Sequence, residues 1–152
     1  MSVLSNTSAT DDQSAAWQEA LAHEHEAVHL LGLLGARTEA GTALATQLVD
    51  AYTAHRARRD HASRVLRGRG ADPVAAAPAY SAPGPLETPV QLRAVAADLE
   101  RRSQTVYASL VARTVEGDRV AAVGALVESA VREIALGGNP VAFPGAEDLT
   151  NR

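Results

Sequence analysis

Residues 70–87 read GADPVAAAPAYSAPGPLE. Four prolines, Pro73, Pro78, Pro83 and Pro85, fall within these 18 residues, which excludes both a helix interior and a central strand. The flanking sequence has helical periodicity and helical punctuation. Two segments precede the proline stretch: 14–37, with Asp12 or Ser14 to cap it, and 42–69, after the break Thr38-Glu39-Ala40-Gly41. Two follow it. The third begins at Thr88-Pro89, a capping residue with proline at the first helical position, and runs to Val115. The fourth follows Glu116-Gly117 and stops at Gly137-Gly138-Asn139-Pro140. An extended chain of 18 residues spans about 60 Å at roughly 3.3 Å each, whereas the second helix is about 42 Å long. The proline stretch is therefore long enough to run back along the whole bundle. Short link, long link, short link predicts two helical hairpins joined by a crossover, not a simple up-down-up-down bundle. Residues 1–13 are polar and expected to be disordered, 14–140 form the bundle, and 141–152 are a C-terminal tail.

Composition narrows the chemistry. The chain has 152 residues, enough for one domain with its own core. It contains 32 alanines and no cysteine, which removes disulfides, thiolate metal sites and cysteine nucleophiles. Lysine is absent, so all 14 positive charges are arginine. The aromatic residues are Trp17, Tyr52, Tyr80, Tyr107 and Phe143, thin for stacking on single-stranded nucleic acid. A net charge of −4 argues against a general polyanion binder. The first residues lack the basic start and apolar stretch of a signal peptide, and no apolar run approaches the roughly 20 residues of a membrane span. The expectation is a cytoplasmic protein that binds neither nucleic acid nor membrane.

Helical periodicity then locates an interior polar cluster. Stepped at about 100° per residue, Glu24 falls among Trp17, Leu21, Val28, Leu31 and Gly35 on the first helix. His55 and Arg59 fall among Leu44, Leu48, Ala51, Ala62 and Leu66 on the second, and Glu100 among Ala96, Leu99, Ser103 and Leu110 on the third. On the fourth, Val120, Val123, Val127, Val131 and Ile134 form the apolar stripe expected to face inward, with Glu128 beside it. A buried carboxylate is costly unless paired or bound to metal. Glu24, His55, Arg59 and Glu100 are thus either an ion-pair network that fixes register or a metal site.

The segments EHEAVHLLGLLGAR from Glu24, AHRARRD from Ala54, ADPVAAAPAY from Ala71, LERRSQTVYASLV from Leu99 and NPVAFPG from Asn139 are similar to a family of small Ala-rich ferritin-like domains of unknown function, found mainly in actinobacteria. The resemblance covers about residues 15–146. It implies an all-α, ferritin-like four-helix bundle that self-associates, and it brings no established activity.

Di-iron bundles use a Glu from each of two helices and Glu-x-x-His on each of the other two. Glu24 and Glu100 fit the single-Glu roles. The second helix, however, has His55-Arg56-Ala57-Arg58 and the fourth Glu128-Ser129-Ala130-Val131, so both pattern histidines are missing. Arg58 or Arg59 is expected to bridge Glu24 and Glu100 in place of metal, because guanidinium pairs well with carboxylate. The primary expectation is a non-enzymatic oligomerisation or interaction module with a degenerate metal site and no cofactor. The alternative is an iron- or manganese-binding oxidase or iron-binding protein, with Glu24, His55, Glu100 and Glu128 as candidate ligands.

Three further features carry weaker expectations. His25-Glu26-Ala27-Val28-His29 spells the zinc-peptidase pattern H-E-x-x-H. Glu26 nevertheless lies far round the helix from the seam, and Gly35 stands where a third histidine would be. Arg56, Arg58, Arg59, Arg64, Arg67 and Arg69 crowd the second helix. The acidic first helix is expected to match them, in a hairpin whose charges cancel. Leu30, Leu33 and Leu34 lie off the first helix's seam and are expected to form an exposed homodimer face.

Overall fold

The computed structural model describes residues 3–146; the remainder of the expected tail, 147–152, lies outside the described residues. Four helices follow in order: α1 (Val3–Arg37), α2 (Ala43–Gly68), α3 (Pro89–Arg113) and α4 (Glu116–Ala135). Among the described residues there is no strand, and no helix is long and apolar enough to cross a membrane. α1 starts earlier than Asp12 or Ser14, since residues 3–13 hold neither proline nor glycine to stop a helix.

The other boundaries follow from local chemistry. Thr42 caps α2 by accepting from the Ala45 N–H. Thr88 and Gln91 form a reciprocal capping box at α3, with Pro89 at the first helical position. α1 pairs with α2 and α3 with α4, while α1 and α3 join the two hairpins.

The crossover lies along α1. Gln18 donates to the Asp72 carbonyl at 2.7 Å and accepts from the Val74 N–H at 2.8 Å. His25 Nε2 donates to the Val74 carbonyl at 3.0 Å. Further on, the rings of His29 and Tyr80 lie 5.3 Å apart, and Leu86 drops into the core. The two histidines of the H-E-x-x-H pattern are thus spent on holding the crossover, and Glu26 pairs with Arg102 at 2.9 Å. This corrects the zinc-peptidase alternative: the three side chains turn to three different partners.

The acids of α1 are matched by α3 rather than by α2. Arg113 reaches Asp12 and Glu19, and Arg102 reaches Glu26. The arginines of α2 and of its C-cap find other acids: Arg58 pairs with Glu128 and Arg69 with Asp118, both acids on α4, and Arg59 with its neighbour Asp60.

Two expected surfaces change sides. Leu30 and Leu34 are buried and Leu33 is half-buried against the core, because α1 packs on two helices and buries an arc wider than one seam. They are not an exposed dimer face. Conversely, Val120, Val123, Val127, Val131 and Ile134 all face outward. Ala122, Ala125 and Ser129 are the buried residues of α4, so small side chains make its inner face.

The tail returns onto α3 at Gly145, whose φ is +76°. A Cβ there would come within 2.2 Å of the Gln104 carbonyl oxygen, so the Phe-Pro-Gly turn needs glycine to seat.

Breaking the crossover seam tests this arrangement. Tyr80→Ala is expected to cost about 0.5–1.5 kcal/mol, lower the melting temperature by a few degrees, and increase proteolytic cleavage within 70–87.

Candidate functional site

Glu24 of α1, His55 of α2 and Glu100 of α3 meet at mid-bundle, each fully buried. His55 Nδ1 donates to Glu24 Oε2 at 2.6 Å, and its Nε2 lies 3.3 Å from Glu100 Oε1. Tyr107 O–H donates to the other oxygen of Glu24 at 2.6 Å. The layer divides the apolar interior. On one side Leu31, Leu48 and Leu99 belong to one cluster; on the other Trp17, Leu21 and Leu110 belong to a second.

Burial alone would lower the pKa of His55, but its hydrogen bonds to Glu100 and Glu24, and their charges, outweigh that and raise it to about 9. The ring is therefore an imidazolium donating through both nitrogens. Burial pushes Glu24 up, yet the His55 bond and charge, with His23 and Tyr107 behind them, leave its carboxyl below the usual range. Tyr107 is held well above an ordinary phenol, by burial first and then by the charge of Glu24.

A second buried imidazole behaves oppositely. His23 Nε2 sits 2.7 Å from Ser103 Oγ, and that hydroxyl donates to the Leu99 carbonyl at 2.9 Å. The histidine N–H is then the donor to Ser103. Desolvation lowers the pKa of His23 to about 4. His23 was not singled out from sequence. The signal was Ser103 itself, a hydroxyl in an apolar seam with a donor to find.

The structure brings three of the four expected cluster residues together and corrects the fourth. Neither Arg58 nor Arg59 bridges the glutamates; His55 does. Arg59 bonds Asp60 Oδ1 at 2.8 Å with its head near solvent, as a long side chain at the seam's edge will when an acid is adjacent. Arg58 crosses to α4, donating to Ser129 Oγ at 2.9 Å, the Ala125 carbonyl at 3.1 Å and Glu128 at 2.9 Å. Its guanidinium also lies 5.3 Å from the Tyr107 ring centre. Glu128, a candidate ligand, is consequently exposed and outside the cluster.

The donor set does not fit a two-metal centre. Among the described residues no three histidines, aspartates or glutamates are placed to share an ion. Both nitrogens of His55 are turned on the glutamates, and Glu24 has neither oxygen free. Glu100 Oε2 is the cluster's one buried oxygen without a partner, whereas hard divalent cations want about six donors.

Between α2 and α4 the backbones stay apart, leaving a groove of about 530 Å³ walled by Ala54, Ala57, Ala121 and Ala125 and floored by Trp17 and Tyr107. Arg58 spans it, and Gln47 adds a bond to the Ala135 carbonyl at 3.0 Å.

Three comparisons bear on this architecture. A family model described as a domain of unknown function, DUF4439, matches residues 16–148. No curated protein matches the chain. The crystal structure of a conserved hypothetical protein, rv2844, from Mycobacterium tuberculosis is similar, with a TM-score of 0.78 and 30% identity over 84% of this chain and 96% of that one.

The charged layer predicts a stability maximum near pH 6.5. His55 is raised on folding, so its contribution is complete below about 6.5 and is lost as pH rises through about 9. His23 is lowered, so its contribution is complete above about 6.5 and is lost as pH falls through about 4. Lowered Glu24 adds to the acid-side loss. Melting temperature measured against pH should fall on both sides, and His55→Gln should flatten the alkaline side. Glu24→Ala, which strands His55 and Tyr107, should cost about 3–5 kcal/mol.

Proposed function

The chain belongs to the DUF4439 family of unknown function, and on that footing we propose that it is a ferritin-like bundle acting as a non-enzymatic interaction module. The connectivity supports the ferritin-like reading: two hairpins and a long crossover are one of the few ways four helices are joined. In this reading the His55 imidazolium occupies the place a metal takes in carboxylate bundles, and the interior serves register rather than reaction.

One observation carries the proposal. The polar groups of the interior are turned on one another, while the exposed aliphatic surface is concentrated on a single helix, α4. Contiguous apolar surface of this kind marks sites of association.

Growth in media supplemented with iron, manganese or zinc, followed by elemental analysis, tests the reading. Substoichiometric metal is expected under all three conditions. One or more iron or manganese ions per chain, lost in Glu24→Ala, would replace this proposal with a metal-protein reading.

A further inference from the structure

α4 carries the exposed stripe Val120, Val123, Val127, Val131 and Ile134, whose members are between 42% and 73% exposed. With Val127 at the centre and about 100° per residue, Val120 and Ile134 lie within about 20° of it and Val123 and Val131 within about 40°. Gly124 and Ala130 follow at about 60°. Between residues 120 and 135 no charged side chain falls within about 80° of the centre. The face is thus uncharged and about 21 Å long, at 1.5 Å per residue.

The spacing of the stripe reads the same in both directions: three, four, four and three residues. Turned over about Val127, the helix matches itself. Val120 then lies level with a second copy's Ile134, Val123 with Val131, and Val127 with Val127. Intervals of three and four hold the stripe on one helix face, the two successive fours giving an eleven-residue spacing rather than a strict heptad, and each of the five residues is β-branched. Antiparallel pairing also opposes the two helix dipoles.

The rims agree in charge. Arg119 and Glu133 lie on the same side of the stripe, about 80° and 120° from its centre. Reversal brings Arg119 of each copy within a turn of Glu133 of the other. On the opposite rim Glu128 stays tied to Arg58 and Arg132 of its own chain, so the two Glu128 side chains approach the twofold axis already paired.

We infer that two copies of this chain associate through α4, antiparallel about a twofold axis at Val127. This names the partner of the surface in the preceding reading and rests on it. Area sets the strength. One helix face about 21 Å long offers far less than the roughly 800 Å² per partner of a standard interface. The adjoining groove of about 400 Å³, where Gln47, Asp50 and Ala51 of α2 meet Val127 and Val131, extends it. The dimer is accordingly reversible and dependent on concentration.

Sedimentation equilibrium from micromolar to millimolar protein should show the mass rising from 15.8 kDa toward twice that value. Val127→Asp should hold the chain monomeric without altering its circular dichroism, since that side chain is outside the core. The chain lacks cysteine, so single cysteines report geometry directly. Val127→Cys should oxidise to a covalent dimer. Val120→Cys alone should not, but mixed with Ile134→Cys it should. A monomer at millimolar concentration, or self-linking at Val120 as efficient as at Val127, overturns the inference. Neither result touches the proposal that the interior holds no metal, which stands or falls on elemental analysis.

Discussion

The pair of bonds from His55 to Glu24 and Glu100 sets the relation of α1, α2 and α3. Each partner comes from a different helix and each is sealed from water. Sliding any one helix by a turn, about 5.4 Å, would set a charged group against leucine and strand its partners. A buried ion pair contributes little net stability over an apolar replacement, but its disruption is costly. In this bundle the layer discriminates among registers that an alanine- and leucine-rich interior would otherwise accept about equally. It also explains why the apolar interior is two clusters rather than one.

Alanine shapes the remainder. The buried residues of α4 are Ala122, Ala125 and Ser129, with its valines and Ile134 outward. The walls facing across the α2–α4 gap are likewise alanines, too short to fill it, so long polar side chains span it instead. Arg58 is suited to this: its planar head satisfies a hydroxyl, a carbonyl and a carboxylate on α4 while lying beside the Tyr107 ring. Through Tyr107 it also touches the layer at Glu24. Among the described residues α4 places no side chain in that layer; Arg58, beside Tyr107, and Gln104, which bonds Glu133 and reaches the Glu100 carbonyl, couple the two.

Much of this was legible from the residues because its causes are local. Proline, glycine and the threonine caps mark helices and links over a few residues, and α2, α3 and α4 end within two residues of the expected positions. Glu24, His55 and Glu100 were found because a charged residue at a seam position is conspicuous against helical periodicity. The misreadings share another cause. Periodicity identifies a stripe but not the side it faces, so it points the valines of α4 inward where Ala122 and Ala125 are the buried residues. For α1, a single seam was too narrow for a helix with two neighbours. Arg59 lies near the seam, but its reach let it turn to Asp60. His23 and Ser103 are eighty positions apart, and no local pattern joins them.

The seat of the crossover on α1 decides more than the path of one loop. Two antiparallel hairpins can stack with the second on either flank of the first, giving bundles of opposite hand. Gln18, His25 and His29 lie on one side of α1, so chain laid along them delivers α3 to one flank only. The polar strip on α1 thereby favours one flank for α3, and with it one hand for the whole bundle.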